Sequence, residues 1–205
     1  MQIHFIKFYL WLKKKVQFVW NFIELVNGQF FKLLFYKRFN RNSQIILNRY
    51  ENEKYSYRLL TKNDLIKLSV FFQEQEMEQF KYFRPHKFDS HTLNKLYKNP
   101  SFFLFGVFDQ NKIIGYFFLR CFINKHCFTG RIVDKIYQGQ SIAKKMGKIL
   151  HNIAWSSDFR VFGTASTKNI ESLKSYQAIN NYQIIKNLEN DFIYFEYLES
   201  EEKHL

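Results

Sequence analysis

Short runs of β-branched and aromatic residues, broken by polar turns, dominate the middle of the chain. Phe102 to Phe108 and Lys112 to Phe122 are two such runs, and Asp109-Gln110-Asn111 joins them as a hairpin. Asn124-Lys125-His126 turns the second run into a third, Cys127 to Val133, giving a meander of antiparallel strands. Gly115, inside the middle run, marks a bulge or a close backbone approach. The period then changes. Ile142, Met146, Ile149, Leu150 and Ile153 recur at the spacing of one helix face, while Lys144, Lys145, Lys148 and Asn152 fall opposite. A strand from Arg160 to Ala165, a helix opening at Asn169, and strands at Tyr182 to Lys186 and Phe192 to Tyr197 follow. Upstream, Tyr57 to Leu60 reads as a strand, and Thr61-Lys-Asn-Asp64 as a capping-box-like start for a helix over Leu65 to Gln73. Thr92 to Lys98 is a second helix, preceded by Asp89-Ser90 and stopped before Pro100. The order β-α-α-β-β-β-α-β-α-β-β predicts an α+β domain with a mixed, mostly antiparallel twisted sheet flanked by helices.

The stretch Val133 to Ala143 is a strand that turns through Gly139 into a helix N-terminus. Such a turn leaves several backbone N–H groups unpaired at the positive end of the helix dipole, where a phosphate or pyrophosphate binds well. Ser141 and Ala143 are small enough to let an anion approach the main chain. An ordinary strand-to-helix turn fits these residues equally well.

A second element decides between the two. Asn169-Ile-Glu-Ser172-Leu-Lys-Ser-Tyr176 opens a helix after the Arg160 to Ala165 strand. Together the two elements resemble the GNAT superfamily of N-acetyltransferases. Their first motif runs Val-x-Pro-x-Tyr-Arg-Gly-x-Gly-Ile-Gly/Ala, and Val133, Tyr137, Gly139, Ile142 and Ala143 match it. Gln138 stands for the Arg, Ser141 for the second Gly, and Lys135 where Pro is common. Their second motif, Asn-x-x-Ser-x-x-x-Tyr, is met by Asn169, Ser172 and Tyr176, but Asn180-Asn181-Tyr182 replaces the Gly-Phe that usually ends it. The resemblance covers roughly Tyr55 to Leu198 and divides the chain into an extension over 1–48 and a GNAT domain over 49–205.

The resemblance implies acetyl-CoA as co-substrate and a small-molecule amine as acceptor. The amides of Gln138, Gly139, Gln140, Ser141, Ile142 and Ala143 would then bind pyrophosphate, and the backbone of Ile132 and Val133 would hold the pantetheine arm. Asn169 and Ser172 would face the cofactor or act as helix caps. Tyr176 matches the tyrosine that many members use as general acid toward the sulfur, although it shares a helix face with Leu173 and Ile179 and also fits a core position. The segment Phe83-Arg-Pro-His86-Lys-Phe-Asp89 resembles a signature of members that acetylate amino-sugars for bacterial surface polysaccharides. It suggests a nucleotide- or lipid-linked amino-sugar as acceptor, with Arg84 and Lys87 near a diphosphate. His86, whose imidazole titrates in the right range, and Asp134 are the candidate bases; a structural hydrogen-bonder and a surface turn residue are their plainer readings. A protein, a polyamine or another small amine is the alternative acceptor, and a non-catalytic binding module the alternative class.

Charge is uneven along the chain. Eight basic residues and one acid between Met1 and Arg41 supply +7 of a net +13. Phe5, Phe8, Leu12, Val16, Val19, Ile23, Val26 and Phe30 follow helical spacing in this region, but Lys15, Asn21 and Glu24 interrupt it too often for a membrane span. No small-residue cleavage site follows, so a secretory signal is not expected either. A basic amphipathic helix suits an anionic membrane surface, which would place the protein in the cytoplasm, peripheral to the inner face of the cell membrane. Packing on the catalytic domain, or on a second subunit in a homodimer, is the competing use for the same face. No nucleic-acid motif accompanies the charge, and no Cys/His cluster has metal-binding spacing, so neither nucleic acid nor metal is expected. Cys121 and Cys127 both fall in strands and are expected to be reduced.

Overall fold

A computed structural model describes residues 21–51 and 53–199. Helical residues 21–34 (α1) continue through Phe35 into α2 (Tyr36–Asn48). Then come β1 (Ser56–Leu59), α3 (Asp64–Glu74), a 3-10 turn (Met77–Phe80) and α4 (Ser90–Lys98). The meander is β2 (Phe102–Asp109), β3 (Lys112–Cys121) and β4 (His126–Val133). A second 3-10 turn (Lys135–Tyr137) leads to α5 (Ile142–Ser156), β5 (Arg160–Ser166), α6 (Ile170–Gln177), β6 (Tyr182–Asn187) and β7 (Phe192–Tyr197).

The seven strands form one sheet in the order β1-β2-β3-β4-β5-β7-β6. Every neighbouring pair is antiparallel except β4 and β5. Helices cover both faces of its centre, which explains why β2 and β3 are apolar throughout rather than alternating. Phe105, Phe117, Leu119 and Ile149 belong to the core on the α2–α5 side, while Leu68, Phe72, Leu93, Tyr116 and Phe118 belong to the core under α3 and α4. Gly115 fulfils both parts of its expectation. The register shifts between Val107, opposite Gly115, and Phe108, opposite Ile113, so Ile114 is the bulged residue. A Cβ at Gly115 would also lie 2.6 Å from Met146 Cε, so α5 approaches β3 closely here.

Local signals explain the helix starts. Thr61 donates through its N–H and its hydroxyl to Asp64 Oδ2, at 2.8 and 2.7 Å, the reciprocal half of a capping box. Arg58 completes the site by gripping both oxygens of Asp64, and holds that carboxyl well below its usual range. Asp89 caps α4 by accepting from the Thr92 N–H. Cys121 and Cys127 are register partners, buried and free, with their sulfurs 2.8 Å apart.

Within the described residues the N-terminal helices lie on the domain, and not by the stripe the spacing favoured. Ile23 and Phe30 are exposed, whereas Phe31 and Phe39 are fully buried. Phe39 meets Phe159 edge-on at 4.7 Å and stacks on Phe103 at 5.3 Å. Polar contacts fix the register: Asn27 donates to Ser101 Oγ and the Cys121 carbonyl, and Glu24 pairs with Arg120 at 2.6 Å. At Ile23 and Phe30 burial departs from the stripe because it follows the polar anchors Glu24 and Asn27, which a purely hydrophobic period overlooks; Phe5, Phe8, Leu12, Val16 and Val19 lie outside the described residues.

Candidate functional site

Pairing between β4 and β5 is limited to His126–Phe128 against Arg160–Phe162. Beyond these residues β4 runs on to Val133 and β5 to Ser166 without bonding to each other. The two strands therefore part, and a groove of ≈ 680 Å³ opens between them. Its walls include Val133, Gly139, Ser141, Asn169, Ser172 and Tyr176, so the two separate sequence motifs line one space.

The turn at the mouth of the groove is held from outside. Asp134 accepts from the Ile136 N–H at 3.1 Å, Tyr137 donates to Asp109 at 3.0 Å, and Tyr55 donates to Gln140 Oε1 at 2.7 Å. The hydrogen bond to Asp109 is also the main reason the Tyr137 phenol is raised above its ordinary value. Gln138 donates to the Val133 carbonyl at 3.3 Å, so part of the backbone expected to meet a pantetheine arm already has a partner. Gly139 has φ +77°, and a Cβ there would meet nothing within 4 Å. Ser141, at φ 59°, takes the left-handed conformation that glycine takes most easily. The Gln138 N–H, expected to join the row, already donates to the Lys135 carbonyl at 3.3 Å. Among the described residues, the N–H groups from Gly139 to Ala143 have no acceptor, while Lys145 starts the helical ladder by donating to the Ser141 carbonyl. Five unpaired donors at the start of a fifteen-residue helix give the geometry that an anion site requires. Ile142 is buried in the core, so its contribution is limited to its backbone, and the side chain of Gln140 faces Tyr55.

On the opposite wall, Asn169 caps α6, accepting from the Ser172 N–H at 3.1 Å. The plainer reading of Asn169 thus applies to its side-chain oxygen, although the residue also lines the groove. The position of Tyr176 is compatible with both of its readings. Its ring packs against Phe195 at 5.5 Å, and its residue lines the groove. Arg131, which the sequence reading did not single out, projects from β4 into the same region. Its guanidinium lies 4.6 Å from the Tyr176 ring centroid and bonds Ser175 Oγ at 3.3 Å. A cation amid the largely apolar strand Cys127 to Val133 was the available signal.

The two candidate bases are otherwise engaged. His86 Nδ1 lies 2.8 Å from the Lys87 carbonyl, which only accepts, so this nitrogen carries the proton. The lone pair of Nε2 then accepts from the Tyr116 hydroxyl at 2.9 Å. Phe72, Phe88, Phe102 and Phe118 surround the ring, and burial lowers its pKa. Both contacts fit the structural reading of His86, whose Nε2 lone pair accepts from Tyr116. Asp134 is buried, caps the 3-10 turn and faces Lys112 at 3.8 Å, outside the lining of the groove. Arg84 is exposed and donates from Nε to the Phe80 carbonyl. The 83–89 segment therefore builds a wall: Phe88 stacks on Phe72 and Asp89 caps α4. The groove instead continues past Glu76, Glu78, Gln79 and Tyr82, and Glu76 pairs with Lys135 at 2.8 Å. No group of His, Cys, Asp and Glu able to hold a metal occurs among the described residues.

No protein-family model and no curated protein matches the sequence. Solved structures do match. Spermidine N-acetyltransferase from Vibrio cholerae, in complex with CoA and spermine, is 17% identical with a TM-score of 0.60, over 72% of this chain and 96% of that one. Ribosomal-protein-S5-alanine acetyltransferase from Vibrio fischeri is 19% identical with a TM-score of 0.58, over 74% and 96%. The GNAT domain of S. lividans PAT is 13% identical with a TM-score of 0.60, over 69% and 88%. At these identities the likeness establishes the fold: the chain has the GNAT fold.

Proposed function

We propose that the protein is an acetyl-CoA-dependent N-acetyltransferase acting on a small amine. The observation that carries this reading is the parting of β4 and β5 beside a row of unpaired N–H groups, with Tyr176 in the same groove. Acetyl-CoA supplies an activated thioester when bound. The N–H groups from Gly139 to Ala143 would hold its diphosphate, and the unpaired edges of β4 and β5 would offer main-chain partners for an extended arm. Tyr176 would offer its phenolic proton to the departing thiolate, and the proton that the amine loses on becoming an amide would return through solvent to the phenolate. Structures of related fold contain CoA or acetyl-CoA, among them the Vibrio cholerae enzyme and a Salmonella typhimurium acetyltransferase.

The acceptor divides into two readings. The amino-sugar reading rests on the resemblance of the 83–89 segment, whose polar side chains mostly serve the fold. A second reading is a cationic amine of polyamine type, which would meet Glu76 and Glu78 along the groove by exchanging with their present partners Lys135 and Lys81. A thiol-release assay with acetyl-CoA and a panel containing spermidine, an aminoglycoside and a nucleotide-linked amino-sugar separates the two. Turnover confined to the nucleotide sugar would reject the cationic acceptor, and silence with every amine would favour the non-catalytic class.

A further inference from the structure

Helix α1 has two faces with opposite chemistry. One is pinned to the domain through Glu24, Asn27 and Phe31. The other turns Phe22, Leu25 and Leu33 outward, with Ile23, Phe30 and Leu34 in the neighbouring row, and Leu33 is 81% exposed. Six large apolar side chains exposed on one fourteen-residue helical stretch form a contiguous patch of a kind that monomers in water rarely present. Charge around the patch is one-sided. Residues 21–48 contain Lys32, Lys37, Arg38 and Arg41 and a single acid, Glu24, which is turned inward to Arg120 and Lys95. None of the four cations makes an ion pair among the described residues.

We infer that this face of α1, with the cations of α1 and α2, docks on an anionic lipid surface. Apolar side chains enter the boundary between headgroups and acyl chains, while the flanking Lys and Arg meet lipid phosphates. No helix among the described residues is long and apolar enough to cross a membrane, so the contact is peripheral. A second copy of the chain is the less favourable occupant. A two-fold pairing through α1 would bring this cation-rich rim against its own image, with no exposed acid in 21–48 to offset it. Placement in the fold agrees with docking. Asn27 ties α1 to Ser101 and Cys121, at the end of β2 and β3 opposite the turn leading into α5. The protein would sit on lipid by one end of its sheet and keep the anion-binding turn free.

The experiment uses the full chain with vesicles of phosphatidylcholine, alone or with phosphatidylglycerol added. Cosedimentation should require the anionic lipid and weaken in high salt. Changing the exposed pair Leu25→Ser and Leu33→Ser should reduce binding at least roughly tenfold. Each change among Lys32→Gln, Lys37→Gln, Arg38→Gln and Arg41→Gln should weaken it about fivefold. Acetyl-CoA affinity should stay as in wild type, which separates this surface from the groove. Vesicle binding that survives both sets of changes would overturn the assignment by placing the contact elsewhere in the chain. Absence of vesicle binding, with light scattering showing a dimer that Leu33→Ser dissociates, would assign the face to a second copy.

Discussion

The guanidinium of Arg131 lies 4.6 Å from the centroid of the Tyr176 ring, joining the end of β4 to α6 beside the groove. One contact thus fixes the phenol that the proposed chemistry uses. Tyr176→Phe keeps the ring, its packing on Phe195 and the cation beneath it, and removes only the hydroxyl. The expected outcome is a fall in kcat of roughly 10²-fold with little change in melting temperature. Steady-state thiol release with an accepted amine measures this, and an unaltered kcat with chemistry rate-limiting would return Tyr176 to a packing role.

Arg131→Met tests the contact itself. Loss of a partly desolvated cation–π pair costs about 1–2 kcal/mol, read as a lower melting temperature. The Ser175 hydroxyl loses its partner as well. Arg131→Lys should restore part of that stability, because it keeps the charge but not the planar group.

Ser141 holds φ 59° where a glycine would be unstrained. Ser141→Gly is therefore expected to raise stability by up to about 1 kcal/mol, the left-handed penalty being partly offset by greater freedom in the unfolded chain. Denaturant unfolding would show it as a higher midpoint at unchanged slope. A fall in stability would mean that the Ser141 side chain contributes something its missing cap bond does not reveal.

Phe39 is fully buried between Phe103 and Phe159, so Phe39→Ala should cost about 3–5 kcal/mol. Removal of residues 1–48 would strip both Phe31 and Phe39 from that core. The truncated chain is expected to be insoluble or much less stable, which thermal melts of the two proteins would compare.

Acid should weaken the fold through buried imidazoles. His151 is fully buried, with Nδ1 bonded to Asn180 at 2.8 Å and no partner at Nε2. Trp155 and Tyr197 press on the ring, and the charge of Arg131 lies near. Burial first, and Arg131 second, push its pKa well below the usual value, and burial does the same to His86. A folded pKa below the unfolded value of about 6.5 means that the unfolded chain binds more protons below that pH. Stability is then complete above about pH 6.5 and declines as pH falls beneath it. Melting temperature should drop between about pH 7.5 and 5.0, and the drop should be smaller in His151→Gln. Equal drops in both proteins would remove His151 as a cause.

Much of the fold was legible because each strand and helix carries its own period or cap. The Asp109-Gln110-Asn111 hairpin, the Asp89 cap and the Gly115 bulge are local chemistry, and local chemistry is written locally. Two features were not. Where β4 and β5 stop pairing depends on the divergence of backbones past Phe128 and Phe162, and no side-chain pattern encodes it. The orientation of α1 was set by Asn27 and Glu24, polar residues that a hydrophobic stripe discounts. At the site, Gly139 and Tyr176 could be placed because their motifs are short and ordered. His86 was a candidate from its place in the 83–89 segment and Asp134 from its place after the strand, and neither place reveals that their lone pairs are directed by Tyr116 and by the 134–136 turn. Distances between residues far apart in sequence decide what a titratable group can do.

The most direct test of the account is acetyl-CoA binding by calorimetry to wild type, Gly139→Ala and Gly139→Glu. Both substitutions place a side chain at φ +77° and carry similar backbone strain, and both point it into open space. They differ in the carboxylate that Gly139→Glu sets beside the unpaired N–H groups, where a diphosphate would lie. The account predicts saturable binding by wild type, retained in good part by Gly139→Ala and abolished by Gly139→Glu, with both variants folded. Failure of wild type to bind, or equal affinity in folded Gly139→Glu, would contradict it.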